Sequence, residues 1–437
     1  MVKLTGILII FLIFHSCNNQ IVKKEKILHK NKIIKKEKHA SFQKIITLTT
    51  KILNTNIKVK DILLSPYLDT IYIVATGDII PHGAVKQTGR LGIMGYFKKE
   101  PDFTNMFKGI KPLIENSDIA FANFETPYEP DTFENMYKSI PYKFNIPLKM
   151  IKTLKNTGFT IFSLANNHMY DQGVDGIAST IDILDKLHLK HIGANKTYKS
   201  AIKPIIIRKK GIKIGFVAFT TWINNDKNQF IPNQKEKNNK KAPYINRYYE
   251  KTAIKTITEL RKKVDFLIVS THWGHEYHKE PSFEQKKKAK VFIKAGADLI
   301  LGHHPHVLQP LVYKDGAYIV YSMGNFISNQ FFDVKNRHAR HKRANREGII
   351  YQFQLIRNNN GKVIIKEINY RPIYIYQEKL KHNPLKLKEA YKIVLKQPKN
   401  SSNEYKKIVE FIGSTKIEVE KLEELSSKII KFILENI

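Results

Sequence analysis

From residue 70 onward, short apolar runs rich in β-branched residues alternate with stretches whose apolar positions recur every three or four residues. Residues 71–76, 119–122, 159–165, 266–270, 297–301 and 317–321 have the length and composition of buried strands. Between them the spacing predicts helices, most clearly over 283–295 and from Gly173 through Leu187. Strands alternating with helices predict an α/β domain. Residues 205–208 and 211–221 read as a hairpin turning at Lys209-Lys210-Gly211, outside any site, and the runs flanking Asn358-Asn359-Asn360-Gly361 read as a later one. From about residue 385 to 437 the period becomes helical, which predicts a C-terminal helical appendage for packing or partner binding.

The start of the chain has another texture. A positive start precedes the apolar run 4–14, which has the length of a signal-peptide core and is too short to span a bilayer. Cys17 follows at once in His15-Ser16-Cys17-Asn18-Asn19, and it is the only cysteine. That position resembles a bacterial lipoprotein processing site. The expectation is a signal segment over 1–17, lipidation at Cys17, a basic tether over 18–65, a folded domain over 66–375 and the helical region over 376–437. The alternatives are a signal peptide with an incidental cysteine, or an uncleaved anchor. A lone thiol excludes an intramolecular disulfide and a cysteine-ligated metal.

The formal net charge of +35 favours anionic company, such as anionic lipid or an acidic polymer. The excess is mostly Lys spread along a chain also rich in Ile and Asn, so a genome-wide compositional bias explains it equally well. Helix-turn-helix, Cys/His finger and aromatic-basic RNA-binding patterns are missing, so specific nucleic-acid recognition has no support. Residues 224–241 form a polar Lys/Asn-rich insertion. The stretch RHARHKRANR, residues 337–346, reads either as an electrostatic clamp for an anionic substrate or as a solvated loop.

Each strand-like run ends in polar residues able to do chemistry. The six clusters, in order, are GDIIPHG with Asp78 and His82, NFETP with Glu125, NNHMYDQG with Asn167 and His168, HWGHEY with His272, Glu276 and Tyr277, GHHPHVLQP with His303, His304 and His306, and SMGNFISNQ with Asn325 and Gln330. A single such residue is more often a cap or turn former. Six in series at strand ends are what a site assembled from many loops looks like along a chain. Carboxylates, imidazoles and a carboxamide without thiols suit a divalent transition metal such as Mn, Fe or Zn better than Ca. There are enough of them for two ions sharing a bridging carboxylate. In extended backbone His304 and His306 would face one side and His303 the other, which favours the first two as ligands; taken alone, the histidine cluster also reads as a solvated polar loop. Trp273, Phe124 and Phe326 are expected to be packing residues.

Taken together, these motifs resemble the CapA family, the poly-gamma-glutamate capsule-synthesis proteins of bacteria, over residues 70–330. That family looks like a branch of the calcineurin-like metallophosphoesterases. The resemblance implies a four-layer αββα sandwich with a dinuclear site at the strand ends. It implies Asp78, His82, Glu125, Asn167, His272, His304 and His306 as metal ligands, with Glu125 in the bridging place. His168 would steady or protonate a leaving group, and His303, Asn325, Gln330, Glu276 and Tyr277 would support ligands or touch substrate. Three residues separate Asp78 from His82, where the superfamily pattern has one. Two functions follow as expectations. One is an extracytoplasmic, membrane-tethered metallohydrolase or transferase acting on an anionic envelope polymer. The other is a non-catalytic part of a polymer-synthesis or export complex, or a surface lipoprotein that binds a polyanion.

Overall fold

The computed structural model describes residues 70–81, 103–130, 144–224, 244–328, 344–379 and 391–396. All belong to the unit Pro66–Ile437. In chain order the first strands are β1 (Ile71–Ile80), β2 (Ile119–Phe124), β3 (Ile161–Ser163), β4 (Lys190–Ile192), β5 (Ala194–Asn195), β6 (Ile205–Lys209), β7 (Ile212–Thr220) and β8 (Tyr244–Ile245). They are followed by β9 (Phe266–His272), β10 (Leu299–His303), β11 (Leu308–Lys314), β12 (Ala317–Met323) and β13 (Asn325–Ser328). The last are β14 (Glu347–Arg357), β15 (Val363–Lys379) and β16 (Tyr391–Lys396). The helices are α1 (Thr104–Phe107), α2 (Lys111–Glu115), α3 (Leu148–Thr157), α4 (Gly173–Lys186), α5 (Tyr198–Ala201), α6 (Glu250–Arg261) and α7 (Phe283–Ala295).

Two sheets result. The first runs β16-β15-β14-β1-β2-β3-β4, with β13 also pairing β1, and the second runs β11-β12-β10-β9-β7-β6. Each has a parallel centre: β1 to β4 in the first, and β7, β9, β10 and β12 in the second. Antiparallel strands flank both centres.

Alternation along the strands builds the layers. Ile71, Ile73, Ile119 and Phe121 pack in one core with Ile214, Phe216, Ile268 and Leu299 of the second sheet, so these side chains lie between the sheets. Their neighbours Val74, Ala120 and Ala122 pack outward against Met150 and Leu154 of α3 and Ile177 and Ile181 of α4. On the second sheet Val217, Leu267, Val269 and Ile300 pack outward against Ile257 of α6 and Phe292 of α7. Three cores thus separate four layers, and the architecture is an αββα sandwich. Burying a branched side chain on both faces of both sheets contributes about 1.5–3 kcal/mol each, which makes these cores the main stabilising term.

Local chemistry sets the ends. Ser282 caps α7 in a capping box with Gln285, and Gly296 closes it at φ 113°. The hairpin at Lys209-Lys210-Gly211 forms as β6 and β7, and the later one as β14 and β15. Trp273, Phe124 and Phe326 are buried, as expected of packing residues. The described part of the C-terminal region, residues 376–379 and 391–396, departs from the helical expectation. β15 continues through residue 375 to Lys379, and Tyr391–Lys396, inside the segment of helical period, pairs with it as an antiparallel strand. A short β-branched run fits either period, and here the free edge of β15 decides. Residues 380–390 and 397–437 of the expected helical region lie outside the described residues.

Candidate metal centre

An irregularity at Gly77 aims Asp78 at the second sheet. Strict alternation from Ile71, Ile73 and Ala75 would send residue 78 toward the helices. Instead the register with β2 shifts between Thr76 and Asp78, so Asp78 pairs with Asn123 and Ile79 with Phe124. Ile79 and Phe124 keep the helix side, and Asp78 turns inward. A Cβ on Gly77 would lie 2.0 Å from the Gly324 carbonyl oxygen, so only glycine fits. The Asp78 N–H donates to that same carbonyl at 3.0 Å.

The second sheet answers with imidazoles. His272 ends β9 and His303 ends β10, in register, on the face that Ile268 and Leu301 share between the sheets. His303 Nδ1 lies 3.1 Å from Asp78 Oδ1, and the His304 N–H donates to Asp78 Oδ2 at 3.2 Å. His306 Nδ1 is 3.2 Å from that Oδ2 and 3.0 Å from Asn325 Oδ1. His304 and His306 have φ of 95° and 56°, so the backbone after β10 is not extended and does not alternate as a strand would. The turning loop brings the His303 and His306 rings to Asp78 and sets the His304 ring against His272 and Trp222.

Glu125, just past β2, completes the cluster. Its Oε1 lies 3.4 Å from His272 Nε2 and 3.8 Å from His306 Nε2. His272 Nε2 is also 2.7 Å from Asn167 Oδ1. The Asn123 carboxamide donates to Asp78 Oδ1 at 2.8 Å and to Glu125 Oε2 at 3.1 Å, and so spaces the two carboxylates. Among the described residues, donor atoms within 4.8 Å of one another form three groups: Glu125, His272 and His304; Asp78, Glu125 and His306; and Glu276, His304 and His306. Glu125 is common to the first two.

Burial pushes Glu125 well above the usual carboxylate range, and the Asp78 and Glu276 carboxylates push the same way. For Asp78 burial acts upward too, but hydrogen bonds and charge from His303 and His306 outweigh it and hold the carboxyl well below that range. Burial, then the charge of neighbouring imidazoles, holds His272 and His304 low. Burial also acts downward on His306, yet Asp78 wins and raises it. Glu125 Oε1, both ring nitrogens of His304 and His306 Nε2 are buried without a protein hydrogen-bond partner. Orphaned polar atoms of this kind are costly unless something else satisfies them, and a divalent cation would. The donor set therefore fits a metal.

His168 stands beside this cluster. Its Nδ1–H donates to Asp171 Oδ2 at 2.8 Å, and its Nε2 is 3.4 Å from Asn224 Nδ2. The Phe144 N–H donates to the same Asp171 oxygen at 2.8 Å. Asp171, three residues after His168, carries a role that the sequence reading did not assign. The segment after β7 reaches into the site. Trp222, to which the sequence assigned no role, stands edge-on to His304 with ring centroids 4.3 Å apart, and Asn224, the first residue of the polar insertion expected outside the site, donates its N–H to Asn167 O at 2.9 Å. Glu276, taken as a supporting residue, is within ligand reach although exposed. Tyr277 donates its N–H to Pro305 O at 2.8 Å and so pins the histidine loop. Asn325 accepts from His306 as above, which makes it an orienting residue. His82, Gln330 and Cys17 lie outside the described residues.

The family model for the bacterial capsule synthesis protein PGA_cap matches residues 72–330. The PGA biosynthesis protein CapA of Bacillus subtilis (strain 168) is 30% identical over 268 residues, covering 61% of this chain and 65% of that protein. The capsule biosynthesis protein CapA of Bacillus anthracis is 34% identical over 232 residues, covering 52% and 54% respectively. The chain thus matches less than two thirds of the length of either relative. A crystal structure of a hypothetical protein from Thermus thermophilus is similar over 69% of this chain and 98% of that one, at 12% identity and a TM-score of 0.38.

Proposed function

The chain belongs to the bacterial capsule synthesis protein PGA_cap family, and we propose that it is a membrane-tethered, extracytoplasmic metalloenzyme that hydrolyses or transfers an anionic polymer of the cell envelope. The observation that supports this reading is the set of buried donor atoms on Glu125, His304 and His306 that lack a hydrogen-bond partner, gathered from both sheets at one edge of the sandwich. Asp78, Glu125, Asn167, His272, His304 and His306 would hold two divalent cations, with Glu125 shared between them. Bound cations supply Lewis acidity to a phosphoryl or carbonyl oxygen and make water a stronger acid.

The chain's own residues do the rest. Asn325 and Asp78 fix the His306 ring through Nδ1 and leave Nε2 facing Glu125. Asp171 fixes His168 in the same way through Nδ1, so that Nε2 can hold a proton for the departing atom. Trp222, edge-on to His304, limits water on that side. The polymer is of the poly-gamma-glutamate type, as the relatives named for PGA and capsule biosynthesis suggest. Attachment through lipidated Cys17 follows from the apolar run that precedes it.

Those relatives are named for biosynthesis rather than breakdown, which favours a second reading: the metal cradle holds the polymer uncut within a synthesis or export complex. The two readings separate when full-length, detergent-solubilised protein with Mn is given poly-gamma-glutamate and, in parallel, an aryl phosphodiester. Enzyme action predicts a shortened or transferred chain, or a cleaved ester, with wild type and not with Asp78→Ala. Salt-dependent polymer binding without product from either substrate supports the second reading against the first.

A further inference from the structure

The outer face over the second sheet is the more basic. There α7 sets five lysines against one glutamate and α6 sets Lys251, Lys255 and Arg261 against Glu250 and Glu259; over the first sheet the three lysines of α3 are offset by the three aspartates of α4, which has one lysine. On α7, Phe283, Lys287, Lys290 and Lys294 recur at helical spacing, are exposed, and lie opposite the buried Gln285, Ala289 and Phe292. On the neighbouring α6, Lys251 and Lys255 are exposed in the same way, and Lys262 follows at the C-cap. Among the described residues none of these six lysines has an ion-pair partner. Lys288, which does pair, lies half-sheltered over Tyr248 and bridges to Glu284.

Large hydrophobic side chains are rarely exposed elsewhere in the described residues. Two of the three that are, Phe283 at 77% and Ile254 at 40%, sit on these same two helices. α6 and α7 each lead back from the carboxyl edge of the second sheet's parallel strands, where His272 and His303 end β9 and β10. Their N-terminal ends therefore lie at the edge that holds the candidate metal centre, with Phe283 in the first turn of α7 and Ile254 in the second turn of α6. A soluble polyanion would neutralise the lysines and leave Phe283 in water. An anionic bilayer takes both, headgroups against the lysines and the acyl boundary against the ring.

We propose that the outer face of α6 and α7 docks on an anionic lipid bilayer, with the lysine rows on the headgroups and Phe283 inserted. This does not depend on the site being catalytic. It would set the mouth of the site at the membrane surface.

The test places a reporter at the inserted position. Full-length Phe283→Trp is mixed with phosphatidylglycerol/phosphatidylcholine vesicles whose acyl chains carry bromine, and emission is compared with that of wild type, which supplies the Trp222 and Trp273 background. Because the quencher must touch residue 283, attachment through the first residues of the chain cannot mimic the signal. The added emission is expected to be quenched by anionic vesicles and not by phosphatidylcholine alone. In that background Lys287→Ala/Lys290→Ala should weaken docking about thirty-fold. Added emission that stays unquenched while the chain is vesicle-bound overturns the proposal. So does a change in that emission with soluble poly-gamma-glutamate but not with lipid, which would assign the face to the polymer.

Discussion

Gly77 meets the carbonyl of Gly324 so closely that a side chain on it would stand 2.0 Å from that oxygen, and the direction of Asp78 depends on this contact. Gly77→Ala must therefore push β1 from β13 or undo the bulge, and undoing it swings Asp78 away from His303 and His306. The expected outcome is a loss of about 1–3 kcal/mol or more in denaturant unfolding. Metal content should fall to that of Asp78→Ala. A Gly77→Ala protein that binds metal like wild type would show that the bulge does not position the carboxylate.

Glu125 is fully buried and its carboxyl is held well above the usual range, so the metal-free fold favours its protonated form. A carboxyl raised in this way contributes stability at low pH and loses it as pH rises through the raised value. With chelator present, Glu125→Gln should be more stable than wild type by about 1–3 kcal/mol at high pH, and the difference should vanish as pH falls. With metal present the order should reverse, because the variant lacks the shared ligand. Thermal unfolding across pH, with and without chelator, reads both signs.

In the proposed chemistry His168 transfers the proton, backed by Asp171 at 2.8 Å from its Nδ1. Removing a positioned general acid typically costs about a hundred- to ten-thousand-fold in rate. His168→Ala should keep its metal and its fold yet lose turnover on whichever substrate the wild type accepts, and Asp171→Asn should lose part of it. Unchanged turnover in His168→Ala would remove that histidine from the chemistry.

The six strand ends were legible because chemistry-bearing residues interrupt apolar runs, and the helix over 283–295 because its period is regular and its caps are strong. What stayed hidden depends on backbone irregularity. The bulge at Gly77 has no signature in hydrophobic period, and positive φ at His304 and His306 defeats any argument from extended alternation. Asn123, Asp171 and Trp222 went unassigned for another reason: each is common in turns or cores, and only contacts distant in sequence give them roles. The Asp171 spacing, three residues after His168, was the one local cue.

The tether is testable apart from the site. If Cys17 is lipidated, metabolic labelling with a radioactive fatty acid should mark wild type and leave Cys17→Ser unlabelled, with the variant moving from the membrane fraction. Equal labelling of both would contradict it.

The most direct measurement is a count of metal. Full-length protein, stripped with chelator, supplemented with Mn, Fe or Zn and desalted, should retain about two divalent ions per chain by elemental analysis. Asp78→Ala and His304→Ala should retain fewer while staying folded. Folded wild type that holds no metal above background after supplementation with each ion would contradict the account.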